Sequence, residues 1–268
     1  MQGGAPRYQA RESTMTSTTL NCRIEALETL DANVTRVFLR ADLREGQGDV
    51  AHAPGQYLEV AVELEGQKSW VPFSIANAHR GDGLLELHIL HAEGSRSGAA
   101  LARRLRLGEC LEVRLPMGEC VFDLADRRPL LLIAAGTGFA QMKAIIEAAL
   151  AHDPDHEIHL WWAARTRPEL YLDDLARRWA RDYAYFSYHP VLELPGEGDF
   201  DGVIERIDRA LAENITATRH ASVYISGSPG MVYAVVDTLE AIEPLTERVF
   251  SDVFSYAPRM PAANGESR

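Results

Sequence analysis

Two glycine turns stand at the ends of apolar runs in the second half of the chain. Ala134-Ala135-Gly136-Thr137-Gly138-Phe139-Ala140 closes one run, and Ser226-Gly227-Ser228-Pro229-Gly230-Met231 closes the other. Glycine lets a backbone come close to a phosphate, and a helix opening there offers free N–H groups and the positive end of its dipole. Such turns suit the pyrophosphate of a dinucleotide, with Gly136, Thr137, Gly138, Gly227 and Ser228 as candidate binding residues. The first is not the GxGxxG fingerprint, because Gln141 stands where the third glycine would be. A tight strand-to-helix turn that binds nothing has the same signature, but two on parallel strands would project into one crevice. Val71-Pro72-Phe73-Ser74 offers an apolar ring and a hydroxyl, which a flavin ring needs; an ordinary strand reads the same way. Gly94-Ser95-Arg96-Ser97-Gly98 is either a second anion turn, through Arg96 and Ser97, or a loop with an exposed arginine.

Other chemistries lack their residues. The cysteines at 22, 110 and 120 form no CxxC pair and are too few for a disulfide framework or a four-ligand iron–sulfur cluster. No HExxH, GxSxG or Walker A sequence occurs, so no metal site is expected and hydrolase and P-loop chemistry have no support. The net charge of −12 disfavours nonspecific nucleic-acid binding and docking on an anionic membrane. The most apolar stretch, 130–151, carries Lys143, Glu147 and two glycines, and reads as a buried strand, a turn and a helix rather than a membrane span. The first twenty residues contain no apolar signal core, so a cytoplasmic protein is expected.

The elements that must position these residues change texture midway. Short β segments at 21–27, 34–41, 57–64, 70–76, 84–91 and 111–115 are separated by Gly, Asp, Pro and Asn, the spacing of an antiparallel barrel or sandwich. One helix, about 98–106, interrupts them, with Ser97 placed to cap it. After Pro129, a continuous apolar strand at 130–135 is followed by apolar residues at helical spacing from Met142 to Leu150. A strand at 158–164 and a helix at about 168–180, with Pro168 in its first turn, come next. Segments 185–192, 203–211, 223–226, 231–242 and 249–254 continue the β/α alternation. The expected protein thus has two domains: an N-terminal antiparallel β-barrel over 20–127 and a C-terminal α/β domain with a five-stranded parallel, nucleotide-binding sheet over 128–257. Residues 1–19 read as disordered and 258–268 as a flexible tail.

Taken in order, several short motifs resemble the ferredoxin-NADP reductase superfamily, and within it the bacterial NAD(P)H:flavin oxidoreductases. They are Gly55-Gln56-Tyr57, Pro72-Phe73-Ser74, Leu87-His88-Ile89, Pro116-x-Gly118-Glu119, Gly136-Thr137-Gly138-Phe139, Tyr224-Ile225-Ser226-Gly227 and Phe250-Ser251-Asp252-Val253-Phe254. The resemblance covers about residues 20–257. It implies that Pro72, Phe73 and Ser74 lie on the flavin-binding strand, with Ser74 as the catalytic hydrogen-bonding group near flavin N5. It adds His88, Asp252 and Phe254 to the cofactor-binding set, the last two closing over flavin and nicotinamide. Arg165 resembles the family's basic position for an adenosine 2′-phosphate, which leaves NADH and NADPH both open. Val71 replaces the arginine that most members use to hold flavin phosphate, and Ser226 replaces the cysteine of plant-type reductases.

The resemblance implies hydride transfer from nicotinamide to a flavin (FAD or FMN, bound loosely or used as a substrate) in the crevice between the domains. Two other readings accompany it. One is an FAD-containing electron-transfer reductase that serves a separate oxygenase, ferredoxin or other acceptor protein. The other is a non-catalytic nucleotide-binding regulator of the same fold.

Overall fold

The computed structural model describes residues 17–259 apart from 32, 44–49, 93, 195, 197, 216–217 and 246–247. The expectations for residues 1–16 and 260–268 therefore fall outside the described residues.

Six strands form the first sheet: β1 (Thr18–Thr29), β2 (Val34–Ala41), β3 (Tyr57–Leu64), β4 (Gln67–Ser74), β5 (Leu84–Leu90) and β6 (Cys110–Met117). They lie in the order β4-β3-β6-β1-β2-β5, and every neighbouring pair is antiparallel. β1 begins at Thr18, inside the stretch read as unstructured, because Thr18 and Thr19 pair with Leu115 and Arg114. Alternate residues such as Val37, Leu39, Leu58, Val60, Leu85 and Leu87 point inward and build one core. Irregular register in β1 at Ile24/Ala26, and in β3 at Tyr57/Glu59, bends the sheet and helps it curl. The edges approach each other just beyond Ser74. There the Ala76 N–H donates to the Glu86 carbonyl at 2.7 Å, and the Glu86 N–H donates to Asn77 Oδ1 at 2.7 Å. Helix α1 (Arg96–Ala102) presses Ala100 and Leu101 into this core. It starts earlier than expected, and its cap is Ser95 rather than Ser97: Ser95 Oγ accepts from the Gly98 N–H at 3.0 Å.

The second sheet is parallel and has six strands rather than five. β7 (Leu130–Ala135), β8 (Ile158–Ala164), β9 (Phe186–Leu192), β10 (Val203–Ile204), β11 (Ser222–Ser226) and β12 (Val249–Phe250) lie in the order β10-β9-β8-β7-β11-β12. The extra strand, β10, is a two-residue edge pairing with Val191 and Leu192, too short to show a period of its own. Even-numbered residues of β7 pack towards α2 (Phe139–His152) and α3 (Asp173–Asp182). Odd-numbered ones pack towards α4 (Ile207–Asn214) and α5 (Pro229–Ile242). Helices therefore cover both faces, which explains why β7 reads as an unbroken apolar run. Pro168 lies in a separate 3-10 turn, Arg167–Glu169, and α3 starts only at Asp173. Leu170 and Tyr171 are buried, so the chain leaves helical geometry to seat them. The final segment is strand only as far as Phe250, and then turns into α6 (Val253–Tyr256).

Candidate functional site

A cavity of about 360 Å³ lies at the seam between the two domains. Tyr57, Glu59, Pro72, Phe73 and Ser74 form its barrel wall. Tyr57 is the cross-strand partner of Ser74, and Glu59 of Pro72, so all four stand on one face of the β3–β4 ribbon. Opposite them are Gln141 from α2 and Ser226-Gly227 from the end of β11. Ser251, Asp252, Val253 and Tyr256 close the remaining side. Ser74 and the Gly227 turn thus share one cavity at the carboxyl ends of the parallel strands, where open α/β sheets bind ligands. Among the described residues, neither the Ser74 nor the Ser226 hydroxyl has a hydrogen-bond partner, which leaves both available to a ligand.

The two glycine turns lie side by side because β7 and β11 are neighbours, with Ala134 paired to Ser226. A Cβ on Gly138 would sit 2.3 Å from the Ser226 carbonyl oxygen, so only glycine lets the turns touch. Gly136 has φ of +52°, and nothing lies within 4 Å of where its Cβ would point. That open side, beside a helix N-terminus, fits a dinucleotide pyrophosphate. Trp162 fixes the turn from beneath: its Nε1–H donates to the Gly136 carbonyl at 3.0 Å, and its ring stacks on Phe139 at 3.8 Å. Ser228 caps α5, its hydroxyl accepting from the Met231 N–H at 3.4 Å.

Asp252 is the buried charge of the site. Burial pushes its carboxyl up to about 6 against the hydrogen bonds from Gln141 and the Cys120 N–H, and nearby Glu119 adds to the rise. Gln141 Nε2 donates to Asp252 Oδ2 at 2.8 Å and to the Gly55 carbonyl at 2.6 Å, bridging the helix to both other walls. Burial also raises the Tyr57 hydroxyl, with Asp252 and Glu59 adding to the effect.

Several expected site residues lie elsewhere. His88 is buried away from the cavity, its ring between Glu86 Oε1 at 2.9 Å and the Tyr171 hydroxyl at 3.0 Å. The carboxylate can only accept, so the ring proton is on Nε2 and Tyr171 donates to Nδ1. Burial holds this imidazole below its ordinary pKa, and it is neutral. Arg96 pairs with Glu65 at the far tip of the β3–β4 hairpin, the length of β4 away from Ser74, roughly 25 Å at 3.3 Å per residue. Ser97 lies in the first turn of α1 beside it. Arg165 follows β8 on the surface, its N–H donating to Glu169 Oε2 at 3.1 Å, and does not line the cavity. Phe254 packs against Tyr233, with ring centres 6.0 Å apart, instead of facing the cavity. In a helical turn Asp252, Val253 and Tyr256 share a side that excludes residue 254, so the exposed Tyr256 stands at the mouth in its place. Tyr57, Glu59, Gln141, Ser251, Val253 and Tyr256 were not singled out as site residues. The pairing of 57–64 with 67–74 across a Glu65-Gly66 tip was the signal for Tyr57 and Glu59.

A barrel and a parallel sheet meeting at a glycine-lined cavity define a two-domain flavin- and nicotinamide-binding oxidoreductase. The chain matches the Oxidoreductase FAD-binding domain over residues 21–122 and the Oxidoreductase NAD-binding domain over residues 132–237. It belongs to the ferredoxin reductase family. It is 29% identical over 244 residues to the NAD(P)H-flavin reductase of Vibrio harveyi, covering 89% of this chain and 99% of that protein. It is 30% identical over 205 residues to the terephthalate 1,2-dioxygenase reductase component 1 of Comamonas sp, covering 76% of this chain and 60% of that protein. Among solved structures, the Amycolatopsis cytochrome P450 reductase GcoB superposes with a TM-score of 0.78 at 26% identity, covering 90% of this chain and 71% of that one. Among the described residues, no helix is long and apolar enough to cross a membrane.

Proposed function

We propose that this chain is an NAD(P)H-dependent flavin reductase that takes its flavin as an exchangeable, preferably unphosphorylated substrate. The carrying observation is the cavity shared by Ser74, the Gly227 turn and Asp252. A flavin held there would accept a hydride from nicotinamide C4, a step that needs the reacting atoms within about 3–3.5 Å. The chain's work is therefore positioning. Pro72 supplies an apolar wall, while Phe73, on the opposite face of β4, packs on the barrel core beneath it. The free Ser74 hydroxyl offers a hydrogen bond at the ring edge, and the two glycine turns hold the dinucleotide. Gln141 keeps Asp252 and the Gly55 loop in register with the helix that opens at Gly138.

The choice of flavin follows from charge. Among the described residues the cavity is lined by two acidic residues, Glu59 and Asp252, and by no lysine or arginine. The neighbouring cation, Arg114, is already engaged, its Nε–H donating to Glu59 Oε2 at 2.7 Å. Val71 packs against the barrel core and brings no charge to the wall. A flavin phosphate thus meets the Asp252 carboxylate and no uncommitted cation, because Glu59 holds Arg114, so riboflavin should show a KM about three- to tenfold below that of FMN at low salt. Steady-state assays of both nicotinamides against riboflavin, FMN and FAD test this, with Glu59→Gln narrowing the difference. No flavin-dependent oxidation of either nicotinamide refutes the function, and equal KM values refute the preference.

The likeness to an oxygenase reductase component supports a second reading, electron transfer from a tightly held FAD to a partner protein. Purified protein separates the two: colourless for exchangeable flavin, stoichiometrically yellow for the alternative. Dependence on cellular NAD(P)H fits a cytoplasmic location.

A further inference from the structure

Helix α2 carries the Gly136–Gly138 turn at its start, and two of its side chains reach backbone carbonyls of the barrel. Gln141 is one, through Gly55. The other is Lys143, whose Nζ donates to the Ala76 carbonyl at 3.0 Å, to Glu86 Oε2 at 2.9 Å and to Glu147 Oε1 at 2.8 Å. Lys143 and Glu86 are 1% and 2% exposed, so this pair lies in the interior between the domains. On the barrel side, Arg36 Nε and His88 Nε2 both donate to Glu86 Oε1, at 2.7 and 2.9 Å. Tyr171 reaches the same cluster from the nucleotide domain through His88. Arg36 and Lys143 face Glu86 and Glu147, and at the rim Glu28 pairs with Arg36 at 3.3 Å and Arg80 with Glu147 at 3.6 Å, so the charges balance.

A buried ion pair adds little net stability, because desolvation offsets most of its Coulomb gain and apolar side chains would fill the space as well. Directional bonds do supply a single registration of the two surfaces. The apolar part of the seam, where Val34 and Phe122 join the core around Leu130 and Leu132, has no such directionality. The position of the tether matters: Ala76 stands two residues beyond Ser74, and Lys143 five beyond Gly138.

We propose that Lys143 is a positioning residue for hydride transfer, its bonds to the Ala76 carbonyl and Glu86 setting the distance between the Ser74 wall and the glycine turn. This rests on the flavin reductase reading. The test compares the full-length wild type with Lys143→Met in single-turnover reduction of riboflavin by NADH and by NADH deuterated at C4. The hydride-transfer rate constant should fall about 10- to 100-fold, as expected when reacting groups are misplaced by about 1 Å. KM for either substrate should change less than about threefold, while the deuterium isotope effect on kcat rises. Lys143→Met/Glu86→Gln, which removes the charge left unbalanced in the interior, should recover melting temperature but not rate. A merely structural role gives the opposite result, with rate returning as stability does. That result, or a wild-type rate and isotope effect in Lys143→Met, overturns the proposal. If Lys143→Met does not fold, the double variant decides by the same rate. A wild type inactive with riboflavin strikes the flavin reductase reading first and takes this proposal with it.

Discussion

Replacing Asp252 by Asn tests the electrostatics of the cavity without touching its shape. The carboxyl titrates near 6 in the folded protein against an ordinary value of 3.8, chiefly because it is buried. A folded-state pKa raised in this way favours folding while the group is protonated, and that contribution is lost as pH rises through about 6. Ionised Asp252 therefore costs about 3 kcal/mol at pH 8, at 1.36 kcal/mol per pKa unit. About half of this has developed by pH 5, and it vanishes below about pH 3.8. Asn carries no charge to bury and keeps one acceptor oxygen; its NH2 replaces the other, a loss that is the same at every pH and leaves the pH dependence as the readout. Urea unfolding of both proteins from pH 5 to 8 should show Asp252→Asn gaining stability over the wild type, the gap widening by about 1–1.5 kcal/mol across that range. A gap that stays flat with pH, or narrows, would mean that Asp252 is solvated or paired in the folded protein, and the account of its burial would be wrong.

Ser74→Ala removes a hydroxyl that has no partner among the described residues, so melting temperature should hold while kcat with riboflavin drops about tenfold, the worth of one hydrogen bond. Gly138→Ala places a Cβ 2.3 Å from the Ser226 carbonyl oxygen, and backbone on both sides must move. Urea unfolding should show a loss of about 1–3 kcal/mol, together with a higher nicotinamide KM. If the turns bind the dinucleotide through short-range N–H groups, as proposed, the net charge of −12 opposes its approach, and raising salt from about 0.02 to 0.2 M should lower the KM for NADH. A several-fold rise would instead assign the pyrophosphate to a cationic side chain such as Arg165.

Both domains could be read from the chain because each leaves a strong local mark: alternating short strands in the first half, unbroken apolar strands with helices in the second. Glycine turns were legible for the same reason, since a backbone that must approach another backbone admits one residue type. The site residues that escaped are those whose role depends on contact between the domains. Phe254 and Tyr256 could not be told apart, because a helix of four residues is too short to display a period. Arg96 and Ser97 had the composition of an anion turn, and only the hairpin's length showed them to be at its far end. His88 sits among Leu87 and Ile89, and nothing local says that its ring faces a tyrosine of the other domain.

Gln141 shows the physical reason most clearly. The third glycine of a dinucleotide fingerprint exists so that a helix can pack closely on its own strand. Here the side of α2 at that position faces the other domain and the terminal segment, where a hydrogen atom would leave the Gly55 carbonyl and Asp252 without their donor. What looks like a damaged motif along the chain is thus a position where a donor across the seam replaces close packing on the helix's own strand. Lys143, two residues further along the helix, does for Ala76 and Glu86 what Gln141 does for Gly55 and Asp252. The Gly136–Gly138 turn runs directly into the helix that carries both bridging side chains, so displacing the turn would load both.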